Sequence, residues 1–119
     1  ATVLHLAEAP HAWLYPRTAA AVHHGGAGTT AASLSAGLPT VIVPHLAEQP
    51  FWGRRVAALG AGPKPINRPR LSADNLAAAL RQALNDSTMR QKATALGAII
   101  RAEDGLTRAV SSINTTLKA

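Results

Sequence analysis

The chain has 119 residues, of which 47% are apolar and 3% aromatic, and 12 Lys and Arg against 6 Asp and Glu give a formal net charge of +6. This length suits one domain with a core of Ala, Leu, Val and Ile. The absence of Cys excludes disulfides, thiolate chemistry and Cys-based zinc sites. The sequence also lacks an apolar run of the ~20 residues that a membrane span needs and the basic start of a signal peptide.

The positive charge favours an anionic partner, such as nucleic acid, acidic lipid or a phosphorylated small molecule. The cations are spread along the chain without interleaved aromatic residues, so no nucleic-acid partner is expected. No metal site is expected either, because the spacing of the five histidines matches no short ligand motif.

The first part of the chain is predicted to hold three short strands and one long helix. A loop or single helical turn over HAWLY is expected between the first two strands. In chain order the elements are a strand over Thr2–Leu6, a strand over Ala20–His23, a helix over 27–36 and a buried strand over Thr40–Val43. Because one crossover helix separates the last two strands, they are predicted to be parallel.

The second part is predicted to be mainly helical. A helix over Pro50–Leu59 is followed by a short edge strand over Gly62–Ile66, in which two prolines exclude a central position. Ser72 is a good N-cap for the next helix, and Asp86 or Ser87 caps another that runs to about residue 102. Beyond Gly105 a last helix carries its apolar residues on one face: Leu106, Ala109, Val110, Ile113 and Leu117.

The candidate binding site is the stretch HHGGAGTT, residues 23–30, between a predicted strand and a predicted helix. Glycines allow a sharp turn and a close approach of backbone to ligand, and the first N–H groups of the helix attract anions. His24 can donate to a phosphate oxygen, and Thr29 and Thr30 offer hydroxyl donors. The spacing fits neither a dinucleotide-binding G-x-G-x-x-G nor a Walker A loop. A tight turn whose glycines serve only packing remains the alternative.

HHGGAGTTAASLSAGLPTVIVPHLAEQPFW, with PHAWLYPR upstream and LGAGPKPI downstream, resembles the donor-binding signature of UDP-sugar-dependent glycosyltransferases of the GT-B fold. The likeness is strongest to the bacterial and fungal branch with sterol glucosyltransferases and natural-product glycosyltransferases. It implies an α/β fold with a Rossmann-like parallel sheet and flanking helices, and residues 1–119 would form the second half of the C-terminal donor domain.

The resemblance also implies roles for single residues. Contacts to the diphosphate fall on His24, Gly26, Gly28 and Thr29, in agreement with the reading of the turn above. Contacts to the sugar fall on Glu48 and Gln49, although Glu48 alone could simply favour the start of the following helix by its charge. Contacts to the base fall on Pro10 and His11.

Two positions depart from the plant members of the family. Glu8 stands where they carry a Trp that stacks on the base, and Trp13 is shifted from that position, so Trp13 could instead belong to the core. Ala32 stands where they carry a Glu that holds the ribose. The choice between UDP and TDP is therefore open. His23 should point away from His24 along the strand and serve the fold.

The resemblance predicts an inverting transfer of a hexose from a UDP-sugar to a hydroxyl of a lipid, sterol or natural product. The general base and acceptor pocket would lie in an N-terminal domain, so no catalytic residue is expected here, and the UDP-sugar would be a co-substrate used without cofactor or metal. The expected location is cytoplasmic, with peripheral membrane contact. The alternative is a nucleotide-binding or membrane-docking subunit of a split transferase. The chain begins without Met and is expected to be a piece of such an enzyme, oligomeric or poorly stable alone.

Overall fold

A computed structural model describes residues 2–119 of the chain. Two short strands and six α-helices are formed in this part, with a 3-10 turn after the first helix and another before the fourth. The elements are α1 (His11–Leu14), β1 (Ala21–His23), α2 (Ala27–Ser35), β2 (Thr40–Ile42), α3 (Gln49–Ala58), α4 (Ala73–Asn85), α5 (Ser87–Ala102) and α6 (Gly105–Lys118). The predicted α/β class with a parallel sheet and flanking helices is confirmed.

The two strands form a parallel pair in which Ala21 faces Thr40 and His23 faces Ile42. This confirms the predicted crossover through α2. Because the strands are parallel and in register, their carboxyl ends lie at the same edge of the sheet. The turn that leads to α2 and the segment that leads to α3 therefore begin side by side.

The core lies on both faces of β2, whose residues are all buried. Neighbouring strand residues point to opposite faces, so Ile42 and Val41 enter different clusters. Ile42 packs with residues of α2, α3, α5 and the loop after α3: Leu34, Val56, Ala93 and Ala61. Val41 packs with residues of α4 and α5: Ala79, Ala83 and Met89. Helices thus cover both faces of the sheet at β2.

The helix caps follow the predicted residues. The Ser72 hydroxyl accepts from the Asn75 N–H at 3.2 Å, and Asn75 Oδ1 accepts from the Ser72 N–H at 2.9 Å, which is a complete capping box. Asp86 caps α5 by accepting from the Met89 N–H at 2.9 Å. Asp104 caps α6 in the same way, and its hydrogen bonds from Thr107 lower the pKa of the Asp104 carboxyl.

The strand predicted over Thr2–Leu6 is wrong, because this segment pairs with neither strand of the sheet. Val3 and Leu4 are 92% and 77% exposed. β1 bonds only to β2, and its central residue Val22 is 44% exposed. Within residues 2–119 the outer edge of β1 is thus left unpaired, and the apolar run forms no ladder with either strand.

The edge strand predicted over Gly62–Ile66 is also wrong, although the segment runs beside β2. The Thr40 N–H donates to Ala61 O and the Ile66 N–H donates to Ile42 O, both at 3.0 Å. Between these two bonds Pro63 and Pro65 have no N–H to give, so no ladder forms. The prolines that argued against a central strand exclude an edge strand as well.

The last helix, α6, is exposed along its whole length, including its apolar face. Leu106 and Leu117 are 79% and 78% exposed. Among the described helices, none combines the length and the apolar character required to cross a membrane.

Candidate functional site

The turn between β1 and α2 depends on Gly25. Its φ of +91° lies in a region that other residues rarely adopt. A Cβ added at Gly25 would lie 2.7 Å from Ile42 Cγ2 and 3.2 Å from the carbonyl oxygen of Gln49. The first glycine of HHGGAGTT thus serves the fold, and it also shows that the turn is packed directly against the beginning of α3.

His24 is exposed and lies over the next glycine. Its Nδ1 accepts from the Gly26 N–H at 2.8 Å, and a Cβ added at Gly26 would lie 2.6 Å from His24 Cε1. Since Nδ1 is an acceptor, Nε2 is the nitrogen that carries a proton. Within residues 2–119 this Nε2 has no hydrogen-bond partner. His24 is thus held at the N-terminus of α2 with a donor directed away from its backbone anchor.

His23 is partly buried and bound at both ring nitrogens. Nδ1 accepts from the Gly25 N–H, and Nε2 lies 3.0 Å from Ser33 Oγ. Burial, followed by the nearby His24 and His11, lowers the pKa of His23 to about 4. A neutral ring can accept at Nδ1 and donate at Nε2, so the low pKa and the hydrogen bonds agree. The two adjacent histidines have different environments, as their positions on a strand predict.

The first turn of α2 is open at Gly28. A Cβ added there would meet no atom within 4 Å, so packing within the described chain does not require glycine at this position. Thr29 is partly exposed at the same turn. The alternative that the glycines serve only packing therefore fits Gly25 but not Gly28. An open glycine in the first turn of a helix is suited to the close approach of an anion.

The structure corrects the prediction for Thr30. This residue is 1% exposed, and its N–H already donates to Gly26 O at 2.8 Å. One turn into α2 the side chain faces the core, so neither polar group is available at the open side of the turn. Thr30 Oγ1 is buried without a hydrogen-bond partner among the described residues.

The segment after β2 is held by the side chain of Gln49, a residue predicted to bind the sugar. Gln49 is 9% exposed, and its Oε1 accepts from the N–H groups of His45 and Leu46 at 2.8 and 3.0 Å. Ala47, between them and α3, has a φ of 55°, an uncommon value for a residue other than glycine. The side-chain oxygen Oε1 of Gln49 thus holds the loop in shape. The Nε2 amide group of the same side chain remains available to other partners.

Glu48 lies at the N-cap position of α3 and is exposed, with no side-chain cap bond. The alternative that Glu48 favours the start of α3 by its charge is not tested by this missing bond, because a charge at the N-cap acts without one. Its carboxylate is free at the edge of the sheet where both strands end. A Cβ added at Gly25 would lie 3.2 Å from Gln49 O and 3.6 Å from Gln49 Cβ, so the two predicted motifs pack against each other.

The residues predicted to bind the base lie on α1. Pro10 is its N-cap, and the Pro10 carbonyl accepts from the N–H groups of Trp13 and Leu14 at 3.1 and 2.9 Å. The exposed His11 ring stacks on Tyr15, with 4.7 Å between ring centroids and 8° between planes. His11 and Ala32 line one cavity of about 280 Å³ along α2. His11 thus lies beside the helix that carries the turn.

Trp13 is not a core residue, because it is 54% exposed. The Arg17 guanidinium lies 4.6 Å from its ring centroid and also donates to the Trp13 carbonyl oxygen at 2.7 Å. One face of the indole is therefore covered by a cation. Among residues 2–119, no three His, Asp or Glu side chains converge on a point that could hold a metal ion.

Two supports of the turn were missed in the sequence. Ser33 and Thr40 are both fully buried, and Thr40 Oγ1 lies 3.1 Å from Ser33 Oγ. Ser33 in turn reaches His23, which links β2 to the turn through α2. The sequence indicated only that Ser33 is a polar residue on the inner face of a short helix. This pattern does not predict which residues Ser33 would bond to.

Three comparisons with known proteins agree on the family. Residues 2–113 match the family described as erythromycin biosynthesis protein CIII-like, C-terminal domain. A sterol 3-beta-glucosyltransferase of Cryptococcus neoformans var. neoformans serotype D is 47% identical over 108 residues, 91% of this chain and 7% of that protein. The O-mycaminosyltylonolide 6-deoxyallosyltransferase of Streptomyces fradiae is 43% identical over 106 residues, 89% of this chain and 25% of that protein. The crystal structure of the glycosyltransferase VinC in complex with DTDP aligns with a TM-score of 0.82 at 29% identity, covering 92% of this chain and 28% of that one.

The chain spans between 7% and 25% of the length of these two curated relatives. The family match includes both strands, the turn between β1 and α2, and the Glu48–Gln49 segment. The likeness that these motifs indicated is confirmed by sequence and by fold. The chain belongs to the erythromycin biosynthesis protein CIII-like family, matches its C-terminal domain, and has the α/β fold of GT-B glycosyltransferases.

Proposed function

We propose that this chain is the donor-binding portion of an inverting glycosyltransferase, which transfers a hexose from a UDP-sugar to a hydroxyl of a sterol, lipid or natural product. The observation that carries the proposal is the contact between the two motifs at the carboxyl edge of the sheet. An added Gly25 Cβ would lie 3.2 Å from Gln49 O. The two segments proposed to bind the diphosphate and the sugar thus pack against each other, which supports a ligand in which a sugar follows a diphosphate.

The diphosphate end of the donor is assigned to the turn. His24 Nε2–H, the first N–H groups of α2 and the Thr29 hydroxyl supply donors, while Gly26 and Gly28 let the ligand approach the backbone. As the bond to the sugar breaks, negative charge develops on the departing nucleotide. Donors already held in place favour that charge in the transition state more than in the bound substrate.

The sugar end is assigned to Glu48 and Gln49. A carboxylate can accept hydrogen bonds from two hydroxyls, and the Gln49 Nε2 amide group can donate to a third. Because Gln49 Oε1 also fixes the preceding loop, the position of Glu48 depends on Gln49. Deprotonation of the acceptor hydroxyl needs a general base, which the resemblance places in an N-terminal domain together with the acceptor pocket.

The base end is assigned to Pro10 and His11, which lie beside α2. The relative VinC was crystallised with DTDP, a thymidine nucleotide. Both UDP and TDP are therefore tested as ligands. If the dissociation constants for UDP and TDP differ by less than about threefold, the diphosphate is the main group recognised. A larger difference would show that the protein selects the base.

The proposal is tested by titration calorimetry on the complete protein with UDP-glucose and UDP. His24→Ala should weaken binding of both ligands about 10- to 100-fold, since a hydrogen bond to a charged group contributes about 1.5–3 kcal/mol. Glu48→Gln should weaken UDP-glucose binding and leave UDP binding unchanged. His5→Ala, which removes an exposed histidine outside every helix and strand, is the matched control. Equal affinities for the wild type and His24→Ala would contradict the role given to His24.

A second candidate function, peripheral membrane docking, has one observation in its favour. The helix α6 is amphipathic and exposed, with Leu106 and Leu117 on its apolar face and Arg108 and Lys118 as cations. Such a helix can lie in a membrane interface. Co-sedimentation of the complete protein with anionic vesicles, lost in Leu106→Ser and weak with neutral vesicles, would support docking. Equal sedimentation of the wild type and the variant would contradict it.

A further inference from the structure

We propose that His23 is a positioning residue for the donor site, which holds the turn through the hydrogen bond from the Gly25 N–H, while its bond to Ser33 serves the packing of the fold. The inference rests on the proposed function and adds a role to a residue that contacts no predicted ligand group. His23 acts through the backbone that carries His24. The observations that support it are two hydrogen bonds and the buried hydroxyl pair behind them.

The Nδ1 side of the ring controls the turn. It accepts from the Gly25 N–H at 3.0 Å, at the residue whose φ is +91°. His24 makes the corresponding bond one residue later, from Nδ1 to the Gly26 N–H. The two histidines together therefore satisfy the two N–H groups that precede α2. If the Gly25 bond is lost, nothing else in the described chain accepts from that N–H, and the anchor of His24 can move with it.

The Nε2 side of the ring connects the turn to the sheet. Its N–H donates to Ser33 Oγ at 3.0 Å, and the Ser33 hydroxyl donates to Thr30 O at 3.1 Å. Thr40 Oγ1, in the first residue of β2, lies 3.1 Å from Ser33 Oγ and 3.0 Å from Leu38 O. Ser33 and Thr40 are both 0% exposed. This hydrogen-bonded chain thus contributes to the packing of α2 against β2, whereas the shape of the turn depends on the Gly25 bond.

The ring must be neutral to make both bonds. Burial and the neighbouring His24 and His11 favour the uncharged form. A protonated ring would have a donor at both nitrogens and would lose the bond from Gly25. The environment of His23 therefore preserves the one protonation state in which it can link the turn to the helix.

Two isosteric variants separate the two ends of the ring. In His23→Asn the side-chain oxygen occupies the place of Nδ1 and can still accept from the Gly25 N–H, but the link to Ser33 is lost. In His23→Gln the amide reaches the place of Nε2 and can still donate to Ser33, but the turn loses its acceptor. Each variant keeps one hydrogen bond and loses one, so the two should lower the melting temperature by similar amounts.

The measurement is the dissociation constant for UDP in the complete protein, together with amide hydrogen exchange at Gly25. His23→Gln should weaken binding about tenfold, the effect of one lost hydrogen bond, and speed exchange at Gly25. His23→Asn should bind within about threefold of the wild type. Equal losses of affinity in both variants would show a merely structural role and overturn the inference.

A further variant keeps the test decisive if His23→Gln does not fold. Ser33→Ala leaves the Gly25 bond in place. Like His23→Asn, it should keep the UDP affinity of the wild type, and amide exchange at Gly25 should stay as slow as in the wild type. Loss of affinity in both of these variants at an unchanged Gly25 exchange rate would overturn the inference. A wild-type protein that binds neither UDP nor UDP-glucose would instead overturn the proposed function, while the exchange rates would still report whether His23 holds the turn.

Discussion

In the two segments that follow β1 and β2, different side chains accept hydrogen bonds from otherwise unpaired backbone N–H groups. After β1, the ring nitrogens of His23 and His24 accept from Gly25 and Gly26. After β2, one amide oxygen of Gln49 accepts from two successive N–H groups. Both segments use a side chain to satisfy backbone donors that neither the sheet nor a helix can pair. Each segment therefore keeps a fixed shape at the edge where the strands end.

The difference between the segments lies in what they leave open. The first has an open glycine, Gly28, in the first turn of α2, so the N-terminus of this helix can be approached closely. The second has Ala47 at a positive φ and leaves Glu48 exposed. A backbone surface suits a diphosphate, and a carboxylate suits hydroxyl groups. The comparison shows how one sheet edge can present two kinds of chemistry in two segments that pack against each other.

The largest expected effect comes from Gly25→Ala, which affects both segments. The new Cβ would meet Ile42 Cγ2 at 2.7 Å and Gln49 O at 3.2 Å, at a φ of +91°. We expect a loss of about 2–4 kcal/mol in the free energy of unfolding from strain and overpacking. Chemical denaturation measures this loss, with Gly105→Ala, which has open space around it, as the control. A free energy of unfolding as high in Gly25→Ala as in Gly105→Ala would show that the segments are not tightly packed.

The second effect separates the two roles of Gln49. Gln49→Ala removes the acceptor of two backbone N–H groups and should cost about 1–3 kcal/mol. Gln49→Glu keeps an acceptor and should retain stability, but it removes the amide donor and should weaken UDP-glucose binding more than UDP binding. Exposed Gln91→Ala is the control for stability. Equal destabilisation by the Ala and Glu variants would show that the loop does not depend on this acceptor.

The third effect is a pH dependence that arises from His23 in the first segment. Folding lowers the pKa of His23 from 6.5 to about 4, so between these values the unfolded chain binds a proton that the folded chain does not. The contribution of His23 is complete above pH 6.5 and is lost as the pH falls to 4. We expect roughly 1–2 kcal/mol for a partly exposed ring. Melting curves from pH 7 to 4 should show this decline in the wild type and a smaller one in His23→Asn.

The smallest effect has opposite signs for folding and binding. Gly28→Ala places a Cβ in open space in the first turn of α2 and should stabilise the protein by up to ~1 kcal/mol. The same methyl group should obstruct the approach of a diphosphate and weaken UDP binding. Gly105→Ala, at the start of α6, should give the same gain without a change in binding. Unchanged UDP affinity in Gly28→Ala would remove Gly28 from the proposed site.

The elements with strong local signals were predicted well. The turn from β1 to α2, the parallel pairing and the caps at Ser72 and Asp86 depend on nearby residues and short spacings. The strand predicted over Thr2–Leu6 failed because an apolar run becomes a strand only beside a partner strand. Thr30 was misassigned because its place in the motif resembles that of Thr29, whereas one residue along a helix turns a side chain by about 100°.

The sequence by itself determined the fold class, the family and the two motifs of the candidate site. These are encoded in periodicity, in glycine and proline positions, and in an ordered set of short motifs. Only the tertiary structure decided that Gln49 holds its own loop, that Gly28 is open while Gly25 is packed, and that His23 reaches Ser33 and Thr40. Those properties depend on contacts between segments, and residue types and spacings do not specify which segments will touch.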